Sequence, residues 1–226
     1  VRAWKRGTAV ALAALGLAWI WAVWIAPVDA RQGEIARIVF VHPPLAFAAY
    51  LGFGLTALGG AVYLARRREA WDRFALASAE VGVVFCTLML LTAVIWAKAA
   101  WGKWWSWDPR TTVTLLLYLV YVAYLLLRGY AEGSERAARF GAVYAIAGLA
   151  VVPLNYFAID LAGGRAIHPD NVSRGSFGPG MLAPFLLGIA ACLAAFAFLL
   201  VRRFEVGELR AQRAEQLALA AQREGA

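Results

Sequence analysis

The sequence predicts an all-α, polytopic membrane protein with six transmembrane helices and both termini in the cytoplasm. Three observations carry this. Hydrophobic residues make up 62% of the 226 positions, against a soluble norm of about 45–50%. Only 16% are charged, and these charges crowd into short clusters that leave six long charge-free windows. The same composition excludes a disordered chain, and alternating strand patterns of about ten residues, which a transmembrane barrel needs, are absent.

The windows run from Gly7 to Val28, Ile38 to Ala65, Val81 to Ala97, Thr111 to Leu127, Phe140 to Ile159 and Gly175 to Val201. At a rise of ~1.5 Å per residue, a window of ~17–20 residues crosses a hydrocarbon core of ~30 Å, so each predicts one helix. The first follows Arg2, Lys5 and Arg6, as a signal peptide would. Trp19, Trp21 and Trp24, however, fill the place of a small-residue cleavage site, which predicts a retained anchor. Between the first two windows, residues 29–41 predict a short interfacial helix with Ile35, Ile38 and Val39 on one side. In the second window Gly52, Gly54, Gly59 and Gly60 form no phosphate-binding loop and predict close helix packing. Glu80 is the one acid in an extended third segment, shallow enough to reach an interface. After Val201 the chain is rich in Arg, Glu, Gln and Ala, predicting a charged helix that leaves the bilayer. The domain reading is a transmembrane domain over residues 1–201, with outer loops at 28–41, 97–110 and 159–179, and a cytoplasmic helical tail over 202–226.

Lys and Arg distribute unevenly over the connections. The N-terminus, the second and fourth connections and the tail hold 15 of the 22, which by the positive-inside rule places them in the cytoplasm and the other loops outside. That asymmetry also explains the net charge of +8 without nucleic acid. Cys86 and Cys192 lie deep in apolar windows with no metal-ligand or redox spacing and read as small buried apolar residues.

Four of the ten Trp fall within seven positions of the run Trp101-Gly102-Lys103-Trp104-Trp105-Ser106-Trp107-Asp108-Pro109-Arg110, in an outer loop. An aromatic belt normally uses single residues such as Trp24, Trp71 and Trp96. If the run is helical, Trp101, Trp104, Trp105 and Asp108 share a face, with Trp107 off it. Packing at the interface and a rigid platform for a flat apolar ligand such as a porphyrin both fit these residues. Asp108-Pro109 predicts the cap and first turn of the fourth helix. His42 and His168 are the only histidines, each precedes proline, and the charge-derived topology brings both to the outer face. Taken singly, each is an ordinary interfacial polar residue. Together they are too few for structural zinc, which takes about four ligands. They suit haem iron, which needs at most two axial ligands. Lys98, Lys103, Arg110, Arg165 and Arg174 are the cations near the outer loops that could meet haem propionates.

The run WGxWWxWDxR, from Trp101 to Arg110, with flanking histidines and six predicted spans, resembles the tryptophan-rich signature of the haem exporter protein C family, CcmC, of cytochrome c maturation. The resemblance covers nearly the whole membrane domain. It implies a haem-handling subunit, not an enzyme, in the bacterial inner membrane. It implies haem b held by His42 and His168 as axial ligands, with Trp101, Gly102, Trp104, Trp105, Trp107, Asp108 and Arg110 forming the run that holds haem at the periplasmic face. Implied partners are the haem chaperone CcmE, the ABC-type ATPase CcmA, the membrane subunit CcmB and the small subunit CcmD. The segment Gly164-Arg165-Ala166-Ile167-His168-Pro169 lacks the tryptophans expected before the family's second histidine. The spelling WWSWDP is also similar to the larger cytochrome c synthetases CcsA and CcmF, which carry more spans and intramembrane histidines. Three alternatives stand beside haem delivery: a compact haem synthetase, a b-type electron-transfer cytochrome, and a transporter subunit that handles no haem.

Overall fold

The charge-free windows fold as helices, and the computed structural model describes residues 2–29, 32–130, 134–172, 175 and 177–224. In chain order these form α1 (Arg2–Ile25), a 3-10 helix (Glu34–Phe40), α2 (His42–Arg66), α3 (Glu69–Trp101), α4 (Pro109–Tyr130), α5 (Glu135–Leu149), α6 (Val151–Tyr156), α7 (Ala158–Leu161) and α8 (Leu182–Glu224). Among the described residues six segments are long and apolar enough to cross a membrane, with α5 and α6 together making the fifth. The break between α5 and α6 has a local cause. Pro153 has no N–H to donate, and its ring collides with the carbonyl four residues earlier, that of Leu149, where α5 ends. Helix α8 has 43 residues and is about 65 Å long at ~1.5 Å per residue, twice what a bilayer core needs. The charged stretch from Arg202 onward thus continues the last membrane helix without interruption.

The core forms where α2 lies along α3 and touches α5 and α8. Buried Phe53, Phe85, Met89, Leu117, Tyr121 and Phe196 fill it. Phe53 and Tyr121 stack with ring centroids 3.8 Å apart, and the Tyr121 hydroxyl donates to the Phe53 carbonyl at 3.3 Å. The close approach of α2 to α3 needs glycine: a Cβ on Gly52 would lie 2.6 Å from the Cα of Gly82. Gly59 and Gly60 likewise face Ala75 and Ala142, whereas Gly54 has open space and takes no part in the packing expected of it. Cys86 and Cys192 are free thiols buried in the core.

Helix α1 attaches mainly to α8. The Trp19 indole donates to the Phe40 carbonyl at 3.1 Å, which joins α1 to the 3-10 helix. At the N-terminal end of α1, Lys5 pairs with Glu205 of α8 at 2.9 Å, so the start of α1 and the middle of α8 lie at the same end of the bundle. Arg73 pairs with Glu208 at 2.6 Å, Arg128 with Asp72 at 2.6 Å, and Arg203 with Glu80. Glu80 therefore ties α3 to α8. The other end of the bundle gathers the start of α2, the end of α3 and the start of α4. Replacing Gly52 with valine should cost about 1–3 kcal/mol by forcing α2 from α3. The check is the Tm of purified protein in detergent: Gly52→Val should lower it by several degrees, and Gly54→Ala should not lower it.

Candidate functional site

His42 opens α2 with Pro43 and Pro44 behind it, and the first helical turn tolerates both because its N–H groups have no intrahelical partner. His168 comes from the loop after α7. The two rings, 126 positions apart in sequence, have centroids 6.4 Å apart and planes inclined at 45°. Both are half-buried, and burial holds the His168 imidazolium below the usual histidine range, so this ring is neutral at pH 7.

Hydrogen bonds select the tautomer of each ring. His42 Nδ1 lies 3.1 Å from the Met89 carbonyl and 3.1 Å from Thr92 Oγ1. His168 Nδ1 lies 2.8 Å from the Pro169 carbonyl. A carbonyl can only accept, so Nδ1 carries the proton in both rings and each Nε2 keeps its lone pair free. Two imidazoles on one metal, with bonds of about 2 Å to each nitrogen, have centroids roughly 6 Å apart, which this pair matches. Among the described residues no three His, Cys, Asp or Glu side chains are placed to hold one metal ion.

Asp108 holds the second histidine in place. It is buried, with 4% of its surface exposed. Its Oδ1 accepts from the Arg110 N–H at 3.0 Å, capping α4 as expected. Its Oδ2 accepts from the Ile167 N–H at 2.6 Å and from the His168 N–H at 3.3 Å. One carboxylate thus joins the start of α4 to the backbone of the His168 loop. Bonds to a charged acceptor contribute about 1.5–3 kcal/mol each.

The tryptophan run is not a single helical face. Helix α3 ends at Trp101, and Gly102 adopts φ 73°, a left-handed geometry that favours glycine and turns the chain out of the helix. Residues 103–108 are extended or bent, so the residues of the run separate. Trp105 lines the cavity beside the histidines, with its Nε1 donor lacking a partner. Trp101 packs edge-on against Trp96 at 4.8 Å, and Trp96 lies 6.3 Å from His168. Trp104 and Trp107 are 60% and 75% exposed on the loop surface. Trp96 was legible only as a belt residue, because it precedes the dense run by a turn and carries no motif of its own.

Arg110 also lines the cavity. Its Nη1 donates to Asn171 Oδ1, and its guanidinium lies 6.0 Å from the Tyr156 ring. Fully buried Asn155 connects this corner to the bundle: it accepts from the Tyr50 hydroxyl and donates to Thr114 Oγ1 at 2.7 Å and to the Arg110 carbonyl at 3.3 Å. Tyr50 lies on the i, i+4, i+8 row that starts at His42, a faint signal in the sequence. Lys98 bonds the Gly102 carbonyl and lies over Trp104, Arg165 bonds its own loop, and Lys103 is exposed. Of the five candidate cations only Arg110 reaches the cavity among the described residues, and Arg174 lies outside them. The cavity holds about 100 Å³, well under the ~300 Å³ of the smallest usual ligand pockets. A large flat ligand would therefore be gripped at its centre and extend outward.

A family model described as "Heme exporter protein C" matches residues 1–219. The chain is 31% identical over 205 residues to a protein of Haemophilus influenzae named heme exporter protein C, covering 88% of this chain and 82% of that protein. A protein of the same name from Bradyrhizobium diazoefficiens is 32% identical over 199 residues, 88% and 73% of the two chains. A putative cytochrome c biosynthesis ccmC-like mitochondrial protein of Marchantia polymorpha is 29% identical over 178 residues, 78% and 74%. Replacing Asp108 with alanine should cost about 1–3 kcal/mol and free the His168 loop. Hydrogen exchange at Ile167 and His168 should rise sharply in Asp108→Ala, with exchange in the core of α2 unchanged.

Proposed function

Because this chain belongs to the haem exporter protein C family, we propose that it is a multi-pass, haem-handling membrane subunit of cytochrome c biogenesis that holds haem between His42 and His168. The observation that carries this reading is the pair of Nε2 lone pairs, both freed by Nδ1 donation to carbonyls, on rings 6.4 Å apart. Among the described residues a bare ion would find no set of three His, Cys, Asp or Glu ligands. The iron of haem brings four equatorial nitrogens and needs no more than two axial ones. The residues present fit that substrate.

The other residues divide the remaining work. Arg110 is placed to meet a propionate, with Asn171 and Tyr156 holding its guanidinium. Trp105 offers an unpartnered Nε1 donor to the same group or a neighbouring oxygen. Trp101 packs behind Trp96, Gly102 releases the chain from α3, and Asp108 fixes His168. Exposed Trp104 and Trp107 provide the apolar surface over which the porphyrin extends from the small cavity. That open edge is where a chaperone of the CcmE kind takes the haem, at the periplasmic face of the inner membrane. The basic end of the bundle then faces the cytoplasm, consistent with the Lys and Arg asymmetry. The ATPase CcmA and the membrane subunits CcmB and CcmD complete an ABC-type assembly around it.

Bis-imidazole ligation keeps other ligands from the haem b iron, and release requires one axial bond to be exchanged. The chain's own part is binding and presentation, with no bond made to the cytochrome. The test compares haem content and absorption spectra of the wild type, His42→Gly and His168→Gly, with and without added imidazole. Each variant should lose haem or change its spectrum, and free imidazole should restore the wild-type spectrum. Wild-type spectra and haem content in both variants without imidazole would overturn the ligand assignment.

A further inference from the structure

The end of the bundle remote from the histidines contains a second cavity, of about 480 Å³, within the ~300–1,000 Å³ range of small-ligand sites. Four guanidinium groups line it, from Arg73, Arg128, Arg203 and Arg210. Three carboxylates do so too, but each is already engaged: Glu69 with Arg73, Asp72 with Arg128, and Glu135 with Arg139 outside the cavity. Arg73 and Arg203 are engaged as well, Arg73 with both Glu69 and Glu208 and Arg203 with Glu80, so the spare donors belong to Arg128 and Arg210. Arg128 meets Asp72 through Nη2, while its Nε and Nη1 are buried with no partner. Arg210 makes no hydrogen bond or ion pair among the described residues. Buried donors left without acceptors are rare in folded proteins and mark a missing partner.

The cavity is built for an occupant at the membrane surface. Arg128 directly follows the charge-free window ending at Leu127, and Arg203 stands two residues beyond the one ending at Val201. Arg73 and Arg210 lie eight and nine residues outside their windows, about 12–14 Å further along the helices at ~1.5 Å per residue. Arg128 and Arg203 therefore stand at the hydrocarbon edge and Arg73 and Arg210 on the aqueous side of the headgroup layer, which adds ~5–8 Å to each side of the hydrocarbon, so the cavity faces that layer from both sides. Apolar Leu76 and Ala138 and the ring of buried Tyr63 line the same space, so its wall changes from apolar to cationic. Room for Arg128 depends on Gly141, where a Cβ would lie 2.9 Å from the Arg128 Cδ.

We propose that this cavity binds the phosphate headgroup of an acidic phospholipid. Basic pockets between transmembrane helices take such headgroups by direct guanidinium–phosphate hydrogen bonds, and the mixed wall accommodates the glycerol and upper acyl chains as well. A bound headgroup would join α3, α4 and α8 beyond what their ion pairs achieve. The site lies on different residues from the histidine pair, so either can fail without the other.

The test uses the full-length protein, delipidated in detergent, with Tm followed as phosphatidylglycerol or phosphatidylcholine of identical acyl chains is added. Phosphatidylglycerol should raise Tm saturably and phosphatidylcholine should not. In Arg210→Gln the half-saturation concentration should rise about fivefold, the loss of one cation near a lipid phosphate. Arg223→Gln, on the exposed tail, should leave it unchanged. Arg128→Lys, which keeps a charge opposite Asp72 and removes the spare donors, should weaken phosphatidylglycerol binding while haem content stays at the wild-type level. Equal effects of the two lipids, equal effects of Arg210→Gln and Arg223→Gln, or the same Tm rise with inorganic phosphate alone would each overturn the proposal.

Discussion

One buried carboxylate decides the geometry of the histidine site. Asp108 is where α4 begins and where the His168 loop is held, because its two oxygens accept from Arg110 on one side and from Ile167 and His168 on the other. His42 needs no such device, since it opens a helix locked against α3 by glycine contacts and is held by Met89 and Thr92. His168 sits on a loop outside the helices, held further along by the Arg110–Asn171 bond and by Val172 and Phe177 against a small apolar cluster. A charged acceptor for its backbone N–H ties that loop to the start of α4. The aspartate that ends the tryptophan run is thus tied structurally to a histidine 60 residues away.

Much of this was legible in the sequence. Charge-free windows predicted the six spans because backbone satisfaction in lipid leaves few alternatives to helix. The charge asymmetry brought both histidines to one end, and Asp108-Pro109 announced the start of α4. Periodicity misled at the tryptophan run, where a helical face was considered across 101–108. Gly102 ends the helix, and the tryptophans then divide between the cavity wall and the exposed surface. The partners of the Nδ1 atoms were illegible, because they are backbone carbonyls, whose positions only the fold determines. Tyr50 and Asn155 were hidden for a related reason: a polar residue in an apolar window does not show which neighbour it will meet.

The two ends of the bundle manage charge differently. At the basic end, ion pairs such as Arg73–Glu208 and Arg128–Asp72 bind α3, α4 and α8 together, while Nε and Nη1 of Arg128 stay without acceptors. At the histidine end, the side chains nearest the cavity are neutral or aromatic apart from Arg110 and Asp170. The neutral form of His168 is favoured in such surroundings, where burial disfavours protonation. The division suits a protein that holds an uncharged nitrogen site at one surface and anchors itself through cations at the other.

The claim on which the functional account depends is that both imidazoles close on one iron. It is tested most directly by electron paramagnetic resonance of the purified protein loaded with ferric haem. The account predicts a dominant low-spin, six-coordinate signal of the bis-imidazole type. A dominant high-spin, five-coordinate signal, or a low-spin signal with a sulfur or oxygen axial donor, would contradict it.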